Sequence, residues 1–203
     1  MSVETKRDSR ATSPESEARR KRLLEAALGV FGRYGFRKTS MDEVARAAEL
    51  SRQGLYLHFA TKEELFRATV EYVLESSLAG AHEWLRDGAR SLQDRLVGAF
   101  DSWVGRYVGL GGANLADLVE ALHRLVGPQA ADHERQFVDA VTRAIRGSAL
   151  PAAYKGAGLT PRQLADTLYA AARGLKHCSG TRAAFVEAFT VAVRAMCAPL
   201  KPA

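Results

Sequence analysis

Apolar residues recur along most of this chain at spacings of three and four, which is the period of an α-helix with one buried face. The first such segment covers residues 17–34, where Leu24, Leu28 and Phe31 lie on one stripe. Gly35 follows directly and predicts the end of this helix, because glycine adopts the left-handed C-cap conformation at little cost.

Capping residues predict two short helices and then a long one. Ser40 and Thr61 are each followed three residues later by Glu, a pattern in which two side chains satisfy free N–H groups at a helix start. They predict a second helix at 41–48 and a long fourth helix after Thr61. Ser51 predicts the N-cap of a third helix at 52–58. Two short helices joined by a tight turn are typical of a helix-turn-helix.

Glycine and proline divide the rest of the chain into further helices. The predicted breaks are the glycines at 109–113, the pair Gly127-Pro128 and the segment 147–161. Helical spacing predicts five helices, at about 92–107, 115–125, 137–145, 161–178 and 181–200. An alternating pattern long enough for a strand does not occur in the sequence. We therefore expect an all-α fold of about nine helices.

The composition is that of a protein that builds a hydrophobic core outside the membrane. Of 203 residues, 47% are apolar and 26% are charged. A run of about 18 apolar residues, which a membrane span needs, does not occur, and the first 22 residues lack the apolar stretch of a signal peptide. Cys178 and Cys197 form neither a CxxC pair nor a disulfide framework, so we expect two buried thiols, no metal and a cytoplasmic protein.

Basic residues are concentrated at the start of the chain. Residues 1–62 carry 13 Lys and Arg against 8 Asp and Glu, a net charge of +5 out of a total of +6. This asymmetry is typical of a module that binds a polyanion. Residues 1–17 are polar and are expected to form a disordered arm. The basic run 19–22 is either a solvated helix face or an arm for the minor groove of DNA.

The third predicted helix has an apolar and a polar face. Leu55 and Phe59 lie four residues apart and are expected to face inward. Arg52, Gln53 and Tyr56 are then left on the outward face. Arginine can bond guanine through two donors, glutamine can do the same with adenine, and a tyrosine hydroxyl suits a phosphate. The outward face therefore predicts a surface that contacts DNA.

Residues 19–65 resemble the DNA-binding domain of the TetR family of transcriptional regulators. The resemblance rests on three pieces in the same order and spacing, VFGRYGF, TSMDEVARAAELS and RQGLYLHFATKEEL. It implies a helix-turn-helix DNA-binding domain at 18–64, after the arm. It also implies a helical ligand-binding and dimerisation domain at 65–203.

The resemblance implies roles for individual residues in DNA binding. Tyr56 and Lys62 are implied to contact the DNA backbone, and Arg52 and Gln53 are implied to lie near bases. The full set of expected DNA contacts is Thr39, Ser40, Arg52, Gln53, Gly54, Tyr56, His58 and Lys62.

Several of these residues have an alternative interpretation. Thr39 and Ser40 match phosphate contacts at the start of the second helix, where free N–H groups favour anions. Tyr56 could instead pack its ring on the fourth helix, and His58 could be a local hydrogen-bonding group. Gly54 stands where many family members carry Thr or Ser, so it offers no side-chain contact but lets the backbone approach DNA closely.

The resemblance further implies an effector pocket among the middle helices and a dimer interface on the last two. Aromatic walls with a few polar groups suit an apolar or aromatic effector, although each residue could equally form ordinary core. The expected pocket residues are Phe100, Trp103, Tyr107, His123, Phe137, Tyr169 and His177. The last helix is apolar around most of its circumference, which indicates burial on two sides, in a dimer or as a central helix of a monomer. The expected dimer residues are Leu168, Leu175, Ala184, Ala188, Val191 and Ala195.

These expectations define a homodimeric, ligand-responsive repressor that binds a pseudopalindromic operator in double-stranded DNA and is released by a small apolar or aromatic effector. The alternative is a constitutive dimeric DNA-binding protein without a ligand. We expect no enzyme, catalytic residue or cofactor, because the sequence contains neither a phosphate-binding glycine loop after a strand nor a nucleophile elbow.

Overall fold

The computed structural model describes residues 14–110 and 112–200, and the regular structure within those residues is entirely helical. The all-α class is confirmed. The α-helices are α1 Pro14–Lys38, α2 Met41–Ala47, α3 Arg52–Tyr56, α4 Lys62–Arg86, α5 Leu92–Trp103, α6 Leu115–Arg146, α7 Leu150–Ala153, α8 Pro161–Cys178 and α9 Arg182–Cys197. Single 3-10 turns lie at Gly105–Tyr107, Gly112–Asn114 and Lys155–Ala157.

The three predicted side-chain caps open α2, α3 and α4, and Thr181 opens α9 in the same way. Ser40, Ser51, Thr61 and Thr181 each accept a hydrogen bond from the backbone N–H three residues further on. Each cap satisfies one of the N–H groups that a helix start leaves without a partner. Helix starts are therefore the best-predicted feature of the fold.

The prediction that Gly127 and Pro128 end a helix is wrong. Helix α6 continues through them over 32 residues, so the segments predicted at 115–125 and 137–145 form one helix. Pro128 is exposed, and on the solvent side water can satisfy the carbonyl that loses its N–H partner. Buried side chains before and after the proline, such as Val126 and Phe137, hold both halves of α6 against the protein.

Other helix boundaries differ from the prediction by smaller amounts. Helix α1 begins at Pro14 and so includes the last four residues of the expected arm, while residues 1–13 lie outside the described part of the chain. Helix α3 ends at Tyr56 rather than at residue 58. Helix α5 ends at Trp103, and the one-turn helix α7 lies within the predicted loop. Within residues 14–110 and 112–200 the number of α-helices agrees with the predicted nine, because α7 offsets the merger in α6.

Two hydrophobic clusters share two long helices. The first cluster combines α1, α2 and α3 with the start of α4, and it includes Ala121 and Val126 from the first half of α6. The second combines the rest of α4 and α6 with α5, α7, α8 and α9. Leu65 and Phe66 belong to the first cluster. The expected boundary between residues 64 and 65 therefore cuts through a continuous helix and its core. Across the two described ranges, no helix is long and apolar enough to cross a bilayer.

The end of α1 is fixed against the start of α6 through what we call the α1–α6 junction, formed by Arg33, Gly35, Arg37, Asp117 and Glu120 with Asn114. The Arg37 backbone N–H donates to Asp117 Oδ2 at 3.0 Å, and its guanidinium bonds Glu120 at 2.5 Å. Asn114 donates to the Arg33 carbonyl at 2.8 Å. Gly35 interrupts α1 with φ 81°, and a Cβ there would lie 2.5 Å from Asp117 Oδ2.

We expect Gly35→Ala to destabilise the protein, because the left-handed conformation costs an L-residue about 1–2 kcal/mol and the added methyl group would displace the Asp117 carboxylate. Gly29→Ala is the matched control in the same helix, since a Cβ at Gly29 meets nothing within 4 Å. The control should be neutral or stabilise by up to about 1 kcal/mol. Urea unfolding at one fixed protein concentration measures both, and equal effects would contradict the assigned role of Gly35.

Candidate nucleic-acid interface

Helix α2 begins with the capping box that the sequence predicts. The Glu43 N–H donates to Ser40 Oγ at 3.3 Å, and the Glu43 carboxylate accepts the Ser40 N–H at 2.8 Å. Hydrogen bonds from the Ser40 N–H, and then from its hydroxyl, lower the pKa of Glu43. A phosphate at exposed Ser40 would therefore have to compete with a carboxylate that the protein itself supplies.

Thr39 is not placed to contact DNA through its side chain. The residue is buried, and its hydroxyl donates to the Gly35 carbonyl at 2.6 Å. The hydroxyl thus satisfies a carbonyl where α1 is interrupted by Gly35. The expected phosphate contact at Thr39 is corrected to a structural one on this geometry.

Helix α3 is held by the residues that its spacing predicts. Leu55 and Phe59 are buried in the same cluster as Val44, and Leu50 packs against that cluster. The Gly54 N–H donates to Ser51 Oγ at 2.9 Å. A helix of five residues is unstable alone, so these contacts with α1 and α2 supply its order.

The outward face of α3 carries the expected polar side chains. Arg52, Gln53, Tyr56 and His58 are all exposed. The Arg52 guanidinium lies 5.7 Å from the centroid of the Tyr56 ring. Sequence reasoning missed Leu57, which is 82% exposed and lies four residues after Gln53. Helical spacing could have identified Leu57, because it places this residue on the same face as Gln53 and opposite buried Leu55.

Arg52 also makes an ion pair across the helix-turn-helix. Its Nη1 lies 3.1 Å from Oδ2 of Asp42, which is in the first turn of α2. Both side chains remain exposed, at 68% for Arg52 and 50% for Asp42. The arginine is therefore restrained by one partner on α2 and by a ring on its own helix.

Lys62 faces the protein rather than open solvent. Its ammonium donates to the carbonyls of Arg37 at 3.1 Å and Thr39 at 3.0 Å, and it lies 4.7 Å from the centroid of the Phe36 ring. These carbonyls belong to the end of α1 and the link to α2, where a helix leaves acceptors unpaired. These bonds join α1 to α4 and argue against the phosphate contact that the resemblance implies for Lys62.

The space around Gly54 is limited on one side by the hydroxyl of Ser51. A Cβ at this position would lie 3.1 Å from Ser51 Oγ, a contact that is tight but adjustable. A small side chain therefore fits at position 54 if the Ser51 hydroxyl moves slightly. The close approach of the Gly54 backbone to DNA stays a prediction.

His58 lies close to the start of α1 as well as to the other exposed residues of α3. It borders an open cleft of about 310 Å³ that is also lined by Arg19, Arg20 and Leu50. The Arg20 guanidinium lies 5.5 Å from the centroid of the buried Phe59 ring. The basic run on α1 and the end of α3 thus border one cleft.

The expected effector residues divide between a packed aromatic cluster and the surface. Phe137 contacts Phe100 edge-on at 4.9 Å between centroids and stacks on Trp103 at 4.9 Å, and Tyr169 lies 6.2 Å away. Burial, and then the charge of Glu134, raise the pKa of Tyr169 to about 12. Phe100 and Phe137 are fully buried, and the half-buried rings of Trp103 and Tyr169 pack against this core.

The remaining expected pocket residues lie elsewhere. The Tyr107 hydroxyl hydrogen-bonds Ser77 of α4 at 2.9 Å. His123 and His177 are exposed, so the prediction that they line an interior pocket is wrong. An open cleft of about 320 Å³ lies between α4, α5 and α9, with Trp84, Val97 and Arg194 among its walls.

Five of the six expected dimer residues are accessible. Val191 is 62% exposed, Ala184 and Ala195 are exposed, and Leu175 and Ala188 are half-buried. Leu168 is an error, because it is buried within the second hydrophobic cluster. The exposed face of α9 follows from helical spacing, whereas the inward turn of Leu168 depends on how α8 packs.

The two cysteines and the possible metal ligands can be located in the described part of the chain. Within it, no group of three or more His, Cys, Asp or Glu side chains is arranged to hold a metal ion. Cys197 is buried, whereas Cys178 is exposed, which corrects the expectation of two buried thiols.

Comparison with known proteins identifies the first third of the chain. The family model described as bacterial regulatory proteins, tetR family, matches residues 23–69. The HTH-type transcriptional regulator YfiR of Bacillus subtilis, itself uncharacterised, is 39% identical over 69 residues, or 34% of each chain. The HTH-type transcriptional activator FasR of Mycolicibacterium smegmatis is 34% identical over 88 residues, 42% of this chain and 40% of FasR. The matched part thus spans well under half of these curated relatives.

A solved structure extends the likeness to the whole fold. SmeT, the repressor of the Stenotrophomonas maltophilia multidrug efflux pump SmeDEF, superposes with a TM-score of 0.59 over 88% of each chain at 22% identity. An identity this low establishes the shared fold alone. The helical domain after the helix-turn-helix is therefore common to both proteins, while its ligand is not inferred from this likeness.

We expect Lys62→Met to lower the free energy of unfolding by about 1–3 kcal/mol, because two carbonyls lose a charged donor. It should leave the salt dependence of DNA binding unchanged. Lys38→Met is the control, since Lys38 is exposed at the end of α1 and a surface change costs within about 0.5 kcal/mol. The reverse pattern, unchanged stability with a salt slope reduced by about one phosphate contact per subunit, would restore the role in DNA binding.

Proposed function

We propose that the chain is a regulator of the TetR family, to whose family model residues 23–69 are similar, and that it is a homodimeric repressor released from its operator by a small apolar or aromatic effector. DNA binding through the helix-turn-helix belongs to the family as a whole. The dimer, the effector and the sign of regulation are the parts proposed for this chain.

The observation that carries the proposal is the outward face of α3. Arg52, Gln53 and Tyr56 share this exposed surface, and buried Leu55 fixes the helix beneath it. Arg52 and Gln53 are proposed to bond base edges in the major groove, and Tyr56 a phosphate. Exposed Leu57 adds an apolar group that suits a thymine methyl.

The rim of this surface supplies further proposed contacts. His58 borders the same cleft as Arg19 and Arg20 of α1, and the two arginines provide positive charge beside α3. Ser40 is exposed at the start of α2, and Gly54 allows the backbone to approach DNA. Thr39 and Lys62 are left out of the proposed contacts because both bond carbonyls at the end of α1.

The exposed face of α9 supports a two-fold dimer. Ala184, Val191 and Ala195 present small and apolar side chains to solvent, and such residues let two helices approach closely. In a two-fold dimer the same patch meets itself. Two α3 helices would then contact half-sites about 34–36 Å apart on a pseudopalindrome.

The aromatic cluster of α5, α6 and α8 supports the effector proposal. Phe100, Trp103, Phe137 and Tyr169 would offer apolar walls and one hydroxyl to a planar ligand. Because the rings are packed together, an effector has to bind a conformation in which they separate. Ligand binding would then shift the population between two arrangements of the helices.

The α1–α6 junction is the proposed link between effector and DNA. Helix α6 carries Phe137 in the second cluster and Asp117 at the junction. A shift of α6 along its axis would therefore move the end of α1, to which α2 and α3 are packed. By linkage, operator DNA must weaken effector binding by the same factor as the effector weakens operator binding.

The packed cluster also favours one alternative, a constitutive dimeric DNA-binding protein without an effector. Phe100 and Phe137 are fully buried against each other and their neighbours, as in an ordinary core. The sign of regulation is a separate matter, because repression requires only that an operator overlaps a promoter. FasR is named an activator and SmeT a repressor.

We expect Arg52→Ala to weaken binding to the DNA upstream of the protein's own gene by about 5- to 150-fold, corresponding to about 1–3 kcal/mol. Tyr56→Phe should weaken it less, through one lost hydrogen bond. Arg135→Ala is a close control, because Arg135 is also 68% exposed and paired with an aspartate, but lies on α6.

Fluorescence-anisotropy titration measures these affinities. Unchanged binding by Arg52→Ala and Tyr56→Phe would show that α3 does not contact the operator through this face. The same titration with a panel of apolar and aromatic compounds tests the effector. Release of DNA by one of them supports a ligand-responsive repressor, and no release across the panel favours the constitutive alternative.

We expect Val191→Arg to dissociate the dimer and to weaken operator binding, because it places two like charges at a self-complementary apolar face. Val119→Arg is the control, since Val119 is also an exposed valine, at 42%, but lies on α6. Sedimentation velocity gives the oligomeric state of both. A Val191→Arg protein that stays dimeric would remove this face of α9 from the interface.

A further inference from the structure

We propose that Asp42 is a positioning residue that holds the Arg52 guanidinium for contact with one guanine in each operator half-site. The inference rests on the proposed function and deepens it, because it assigns a base preference to the same surface. It starts from the ion pair across the helix-turn-helix, Arg52 Nη1 to Asp42 Oδ2 at 3.1 Å.

Asp42 lies in the first turn of α2, where its charge stabilises the helix dipole by up to about 1 kcal/mol, but this effect does not require Arg52. The side chains are 68% exposed for Arg52 and 50% exposed for Asp42, and ion pairs of this kind contribute little to folding. Asp42 also borders a surface that has to approach phosphates, where its charge repels the DNA backbone. The Asp42–Arg52 pair adds little to stability and its carboxylate lowers affinity for any DNA, so we assign the effect of the pair to the way in which Arg52 binds.

The geometry of arginine supplies that effect. A guanidinium contacts guanine best when its plane is fixed, so that two N–H groups meet O6 and N7 together. Asp42 engages Nη1, and the other edge of the group carries Nε and Nη2. Tyr56 restrains the plane from one side, with its ring centroid 5.7 Å from the guanidinium carbon. Asp42 on α2 and Tyr56 on α3 thus fix the orientation of the guanidinium, and the edge with Nε and Nη2 remains available for two hydrogen bonds to guanine.

The charge of Asp42 adds discrimination to this positioning. The Asp42 carboxylate repels the negatively charged phosphate oxygens more strongly than the neutral edge of a base. It therefore disfavours an Arg52 that turns toward the backbone instead of a base. Specificity then comes from an attractive group and a repulsive one acting together.

The test compares full-length Asp42→Asn with wild-type protein on DNA. A selection from randomised duplexes with the wild-type protein first defines the operator, and every base pair of one half-site is then substituted in turn. Arg52→Ala identifies the guanine position as the one where discrimination is lost. We expect Asp42→Asn to lose about tenfold or more of the discrimination at that same position, while affinity for non-specific DNA rises.

Glu49→Gln is the matched control. Glu49 is exposed on the turn between α2 and α3, so its substitution removes one negative charge from the same region without touching the Arg52 pair. It should raise affinity for all duplexes alike and keep the base preference. Asp42→Glu, which retains the carboxylate, should recover part of the discrimination that Asp42→Asn loses.

Three results separate the outcomes. If the wild-type protein selects no sequence, the proposed function itself fails. If it selects an operator but Asp42→Asn changes all affinities uniformly, as Glu49→Gln does, Asp42 is only a surface charge and the inference is overturned. Loss of discrimination at the Arg52 position alone, with thermal unfolding within a few degrees of wild type, supports it.

Discussion

The end of α1 is the constraint on which the rest of the structure depends, because the helix is interrupted there and its last acceptors need partners. The Thr39 hydroxyl bonds the Gly35 carbonyl, and the Lys62 ammonium bonds the carbonyls of Arg37 and Thr39. Asp117 accepts the Arg37 N–H from the other side. Helices α2, α4 and α6 are thereby fixed around a single turn of backbone, and the position of α3 follows from theirs.

This arrangement explains why the molecule does not divide cleanly into two domains. Helices α4 and α6 contribute buried residues to both hydrophobic clusters, so neither cluster is complete without them. A rigid helix transmits a displacement along its length more directly than a loop does. The same packing that stabilises the helix-turn-helix therefore gives the second cluster a mechanical connection to α3, which is what an effector-controlled regulator requires.

The sequence predicted features that depend on neighbouring residues. Ser40, Ser51 and Thr61 cap helices as expected, and Leu55 faces inward while Arg52 faces outward. Capping and facial periodicity are local, so the order of residues is enough to infer them. Pro128 misled the prediction because its cost depends on whether the freed carbonyl meets water, which only the position of α6 on the protein decides.

What the sequence alone determined is the helical class, the helix starts and the outward face of α3, since each follows from contacts within a few residues. Only the tertiary structure decided which polar groups remain available for DNA. Lys62 and Asp117 stand 55 positions apart, yet both bond the end of α1, and Asp42 reaches Arg52 across a turn. Such assignments depend on long-range packing, because a charged side chain bonds whichever partner the fold brings within about 3 Å.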